Sequence, residues 1–204
     1  IMCTPLRVMQ IVLSLVIGGT EKLVYDLVRH VDKQLVSPVV CCLDEFGAFG
    51  EELQREGYRI YTLNRKSGVD WRLIRRLRTI IRQEQIDIIH AQQYTPYFYG
   101  CMAALDGKLS VSPFDRLRAN GTKSPKLVFT EHGIPYPYKK KLKRIMFNPI
   151  LFLFADEIIT ISEYTKCILG EYENFPAHRT KVVYNGINLS QFSQSMDAAA
   201  KKQA

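Results

Sequence analysis

No stretch of the sequence approaches the ~20 consecutive apolar residues of a membrane span. The longest candidate, Ile145 to Phe154, is interrupted by Asn148 and Pro149. The first residues, Ile1 to Thr4, run straight into strand-like sequence and carry no mark of a secretory signal. Ile rather than Met at position 1 points to a trimmed chain or a fragment. The five cysteines (Cys3, Cys41, Cys42, Cys101, Cys167) form no C-x-x-C pair and read as reduced thiols of a cytosolic protein. The four histidines are scattered, so no metal-ligand cluster is expected. Neither G-x-G-x-x-G nor a phosphate loop ending in Gly-Lys-Ser/Thr is present, which removes the two strongest nucleotide signatures.

What remains is ordinary for a globular domain: 204 residues, 47% apolar and 24% charged, enough for one domain with a real core. The formal charge of +8 is concentrated in Arg65 to Arg82 and in Lys139 to Arg144. Nucleic acid, anionic lipid and phosphorylated small molecules are all compatible with it, and a solvated helix face is the plain alternative. In the second segment, Lys139, Lys140, Lys141, Lys143 and Arg144 stand beside Ile145, Met146 and Phe147, a pattern suited to weak, salt-sensitive attachment to an anionic membrane.

The chain alternates short apolar runs with helical periodicity. Leu6 to Ser14 reads as a strand buried on both faces. Gly18-Gly19 breaks it, and Thr20 is placed to cap a helix that Glu21 enters. Strands are expected at Val36 to Leu43, Tyr58 to Leu63, Ile86 to His90, Lys126 to Glu131, Glu157 to Ile161 and Lys181 to Tyr184. Helices are expected at Phe49 to Glu56, Asp70 to Glu84, Tyr94 to Leu105 and Glu163 to Leu169, with a basic, apolar helical stretch before Glu157. Pro38 should lie near the start or an edge of its strand. This rhythm implies an α/β, doubly wound, mostly parallel sheet. Two segments depart from it. Asp106 to Pro125 lacks an apolar face and reads as a surface loop or an insert, and Ser190 to Ala204 reads as a polar tail.

In such sheets ligands gather at the carboxyl ends of the strands. The candidates there are Gly18, Gly19 and Glu21 after the first strand, where glycine lets a ligand approach and the helix N-terminus favours phosphate. His90 follows a later strand, and Glu131-His132-Gly133 another. His132 is suited to act as base, acid or hydrogen-bond donor near neutral pH. Ser162-Glu163 is a helix cap and a further phosphate contact.

Taken in order, the glycine pair, Asp87-Ile88-Ile89-His90-Ala91, Phe129-Thr130-Glu131-His132-Gly133, the run Ala155 to Glu163, and Val183-Tyr184-Asn185-Gly186-Ile187-Asn188 resemble the N-terminal domain of the family 4 retaining glycosyltransferases, which have the GT-B fold. The resemblance spans Leu6 to Phe192 apart from Asp106 to Pro125. It implies a Rossmann-like half, residues 1 to 189, that binds the acceptor, a glycan or a lipid-linked molecule, while a second domain holds a nucleotide-sugar donor. It places Gly18 and Gly19 near the donor diphosphate, His132 near the transferred sugar, and Asn185-Gly186 at the approach to the second domain. No cofactor and no metal is implied, nor is nucleic acid a partner. The second domain has no counterpart in the sequence, so the chain alone should be inactive: a truncated enzyme, or one half of a bipartite one. Two other classes stay open, a non-catalytic module binding a membrane or a partner chain, and half of a nucleotide-sugar epimerase. Cytoplasmic placement, with membrane association, is expected.

Overall fold

The computed structural model describes residues 4–105, 124–134, 136–140 and 142–186. Seven strands form one sheet: β1 (Leu6–Ser14), β2 (Val36–Glu45), β3 (Arg59–Thr62), β4 (Ile88–Gln92), β5 (Lys126–Glu131), β6 (Glu157–Thr160) and β7 (Thr180–Val182). The order is β3-β2-β1-β4-β5-β6-β7, and every pairing is parallel. Among the described residues six α-helices connect them: α1 (Gly19–His30), α2 (Gly47–Arg55), α3 (Trp71–Gln83), α4 (Tyr94–Ala104), α5 (Leu142–Phe152) and α6 (Glu163–Glu173). Strand order reverses direction between β1 and β4, which makes that junction the switch point of the sheet.

Apolar runs explain the central strands. Met9, Ile11, Ile89, Leu127 and Phe129 point to one face, under Leu73, Leu77, Tyr97, Phe152 and Leu169 of α3 to α6. Val12, Val40 and Cys42 point to the other, under Val24, Val28 and Leu53 of α1 and α2. The chain is thus wound on both sides, as its alternation predicts. Cys41, Cys42 and Cys101 are buried thiols that fill space as small hydrophobes. Pro38 pairs with Val8 of β1 but precedes the first β2–β3 pair, Val39 with Arg59, so its missing N–H removes no bond from the ladder.

Several local expectations change. Thr20 does not cap α1: the helix begins at Gly19, Gly18 is the capping residue, and no side chain closes the end. β4 extends two residues beyond His90, because Gln92 still pairs with Thr130. The basic segment Arg65 to Arg82 is largely occupied by its own fold. Arg65 pairs with Asp44 at 2.7 Å, Arg76 donates to the Leu63 carbonyl at 2.7 Å, and Arg78 donates to Ala103 and Met102.

Helix α5 differs most from its reading as part of a basic patch. Arg144 and Ile145 turn inward, away from the exposed lysines. Arg144 donates to the buried Glu173 carboxylate at 2.6 Å and stacks over the Tyr94 ring at 4.0 Å. Asn148 is fully buried and donates to the Glu173 carbonyl. Pro149 cannot supply the helical N–H that the Ile145 carbonyl would accept, and Asn174 Nδ2 supplies it instead at 3.2 Å. Asp106 to Pro125 lies outside the described residues except for Ser124 and Pro125, which lead into β5, and Ser190 to Ala204 lies wholly outside them.

Candidate functional site

Because every strand is parallel, the loops after β1, β4, β5, β6 and β7 share one edge of the sheet. At the switch point the edge is built by glycine and glutamine. Gly18 is extended, and a Cβ there would lie 2.3 Å from the Glu21 carboxylate, which folds back over the start of α1. Gly19 faces open space, with nothing within 4 Å of a Cβ. Gly47, at the start of α2, supports this loop from behind: its φ is +67°, and a Cβ would strike the Leu15–Val16 backbone at 2.3 Å.

Next to the loop, one row of polar side chains crosses three strands. Gln10 of β1 stands opposite His90 of β4, and Gln92, two residues further along, stands opposite Thr130 of β5. Gln92 Nε2 donates to Gln10 Oε1 at 2.9 Å and lies 3.3 Å from His90 Nε2. His90 Nε2 is 2.8 Å from Thr130 Oγ1. The row ends at His132, whose Nε2 is 2.8 Å from Gln92 Oε1. Gln10 and Gln92 are only 4% and 2% exposed, so each must find partners inside the protein, and these contacts supply them.

Glu131 ends β5 with its side chain turned back, Oε1 accepting from the His132 and Gly133 N–H groups at 3.1 and 3.3 Å. Gly133 has φ +141°, a conformation that L side chains rarely adopt. Together they set the direction of His132. Burial pushes both imidazoles down to about 4, with His132 adding to the effect on His90. Burial also pushes the Glu131 carboxyl up to about 7, against the lowering effect of its backbone N–H donors. The site therefore holds two neutral imidazoles at pH 7 and one carboxyl that titrates near neutrality.

The structure joins His90, Glu131, His132 and Gly133 into this unit, with His90 inside β4 rather than at its end. Ser162 caps α6, its Oγ accepting from Thr165 N–H at 3.0 Å, and Glu163 is exposed in the first turn. Asn185 and Gly186 follow β7 and are exposed. Gln10, Gln92, Gln93 and Thr130 were not singled out by sequence reasoning. One signal was available: Gln10 interrupts an apolar run buried on both faces, and a buried amide needs partners. Gln93 gave none. Its φ of 72° and ψ of 169° fall in a region essentially reserved for glycine, at a cost of about 1–3 kcal/mol. Strain of this kind, held by a 2.8 Å bond from Gln93 N–H to the Thr130 carbonyl, clusters at working sites.

Comparison with known proteins bears on the family and the fold. The family model for Glycosyltransferase Family 4 matches residues 17–191. No curated protein matches the chain. Among solved structures, HepE of Anabaena, in complex with UDP and glucose, superposes with a TM-score of 0.67 at 18% identity, over 91% of this chain and 46% of that one. A glycosyltransferase of Rickettsia africae gives 0.68 at 15% identity, over 98% and 50%. MurG of Acinetobacter baumannii gives 0.53 at 14% identity, over 88% and 45%. The chain spans about half the length of these structures. With the matched family model covering most of its length and the fold that of one Rossmann-like half of a GT-B enzyme, the chain belongs to glycosyltransferase family 4.

Proposed function

We propose that this chain is the acceptor-side half of a retaining glycosyltransferase that moves a sugar from a nucleotide-diphosphate sugar to a glycan or lipid-linked acceptor. The observation that carries the reading is the buried polar row ending on His132 at the switch point of the sheet. A row held by Gln10 and Gln92 presents one imidazole at a fixed position on the edge where α/β sheets take their ligands. HepE, of the same fold, is known with UDP-glucose bound, which supports a nucleotide sugar as donor here.

The half described offers little to the nucleotide. Near the start of α1 it provides Gly18, the open approach over Gly19 and the N-terminal dipole, with the Glu21 carboxylate in the same place. Departure of a diphosphate with retention needs fixed positive charge or hydrogen-bond donors aimed at it. In this reading those come from a second domain or chain, without metal or cofactor. When a donor-binding half is supplied by fusion or as a second chain, His132→Ala should lower transfer ~10²–10⁴-fold, the range for a positioned proton-transfer or hydrogen-bonding group. Circular dichroism should stay unchanged. Transfer within a few-fold of the parent would remove His132 from the site.

A second observation favours an acceptor held at a membrane. In α5 the usual arrangement is reversed: Arg144 and Asn148 face inward, while Leu142, Met146, Phe147 and Ile150, with Leu153 just beyond the helix, are 59–76% exposed. Lys139, Lys140 and Lys143 are exposed beside them. Apolar side chains flanked by lysines fit the boundary of an anionic bilayer, each lysine contributing about 1 kcal/mol near the surface. None of the described helices is long and apolar enough to cross a membrane, and the attachment proposed through α5 is peripheral. The chain should float with anionic liposomes in low salt, and Phe147→Ser with Ile150→Ser should abolish this. Equal flotation with neutral liposomes would end the proposal.

A further inference from the structure

We infer that Gln92 is a positioning residue that holds the His132 ring proton on Nε2, so that His132 offers its ligand only a hydrogen-bond acceptor, Nδ1. The group received there is a hydroxyl, and an unprotonated phosphate oxygen is refused. This deepens the transferase reading by naming which chemistry His132 recognises, and its test needs no transfer activity.

The geometry sets the proton by exclusion along the row. Gln92 Nε2 lies 2.9 Å from Gln10 Oε1. With Gln10 Oε1 facing it, a Gln92 amide turned over would set two carbonyl oxygens at that separation, so against this Gln10 the amide nitrogen belongs where it stands. Its second proton points to His90 Nε2 at 3.3 Å, and Thr130 Oγ1 lies 2.8 Å from the same nitrogen. Gln92 Oε1 is then the only atom of that amide left for His132 Nε2, at 2.8 Å. An oxygen accepts, so His132 Nε2 carries the hydrogen. A neutral imidazole has one N–H, and Nδ1 keeps a lone pair. No described residue bonds to Nδ1.

Burial supports the neutral form, since it pushes the His132 imidazole down to about 4. Glu131 and Gly133 hold the backbone on either side, and the 2.8 Å contact with Gln92 Oε1 holds Nε2 on the protein side of the ring. The other charged groups near this strand end, Glu131, Glu173 and Arg144, are joined to backbone or to each other. Sugar hydroxyls are donors of the kind that Nδ1 can take, whereas a diphosphate oxygen facing it would set two lone pairs together.

Two-bond ¹H–¹⁵N correlation spectra of the purified chain at pH 7 test this. His132 should show Nε2 at a protonated, pyrrole-like shift and Nδ1 at an unprotonated, pyridine-like shift, and inorganic phosphate should move neither. Gln92→Glu is nearly isosteric and keeps an acceptor on Nε2–H, the Gln10 amide turning its nitrogen toward the new carboxylate oxygen. It should preserve the tautomer while raising the pH at which His132 titrates, which mere packing would not do. Gln92→Leu should bring the two nitrogen shifts toward a common average. A proton on Nδ1 in the parent chain, phosphate-induced shifts at Nδ1, or unchanged titration in Gln92→Glu would each overturn the inference. All of these outcomes are independent of whether a reconstituted enzyme transfers sugar.

Discussion

His90, His132 and Glu131 draw folding stability in opposite directions as pH changes. Both histidines titrate at about 4 in the folded chain against an ordinary 6.5, so the unfolded chain takes up protons that the folded one refuses. Their contribution is present above 6.5 and is lost as pH falls toward 4. Glu131 does the reverse: its folded carboxyl titrates at about 7 against 4.5, so its contribution is present below 4.5 and is lost as pH rises through 7. Two groups oppose one between pH 4.5 and 6.5, and the histidines prevail. The slope is at most about 1.4 kcal/mol per pH unit for a net difference of one proton, and is reduced because solvent reaches part of His132. Urea midpoints should therefore be higher at pH 6.5 than at pH 4.5, and His132→Ala should flatten the difference. A higher midpoint at the acid end would show that these groups are solvated in the folded chain. At this scale the sequence identified His90, Glu131, His132 and Gly133 but could not join them. Their contacts with Gln10, Gln92 and Thr130 depend on strand register, which periodicity along the chain does not contain.

Elements with one dominant cause were read closely. α3 has Leu73, Leu77 and Ile80 on one side and Asp70 capping its start, with the carboxylate accepting from the Arg72 and Leu73 N–H groups at 3.0 Å. β5 and β6 were recognised by short apolar runs. Errors arose where two causes compete. Thr20 has a capping side chain, yet the backbone turns into the helix at Gly19. Gln92 looks like loop, yet it is sheet because its backbone still pairs with Thr130 of β5. The inward face of α5 was hidden because Arg144 and Asn148 are polar, and polar residues are ordinarily assigned to the solvent side. The segment Asp106 to Pro125, joining α4 to β5, remains an expected insert on sequence grounds. Replacing it with a short Gly/Ser link should leave the melting temperature nearly unchanged, because loop-closure entropy depends only weakly on length. A large fall would identify it as part of the core.

For the whole molecule, the all-parallel sheet is what turns scattered motifs into one edge. Gly18, Gln92, His132, Ser162 and Asn185 are far apart in sequence, and each follows or ends a strand pointing the same way. The same arrangement limits what this half can do alone. It gathers neutral imidazoles, amides and a carboxylate near the switch point, a set suited to hydroxyl groups more than to a doubly charged diphosphate. The proposed function accordingly leaves donor binding mainly to a second domain or chain and acceptor binding to this one. Titration calorimetry of the purified chain with UDP- and GDP-sugars tests that division directly. The account predicts dissociation constants on the order of millimolar, equivalent to ~4 kcal/mol of binding free energy, and no turnover. Micromolar binding, or hydrolysis or transfer by the chain itself, would place the donor site on this half and contradict the account.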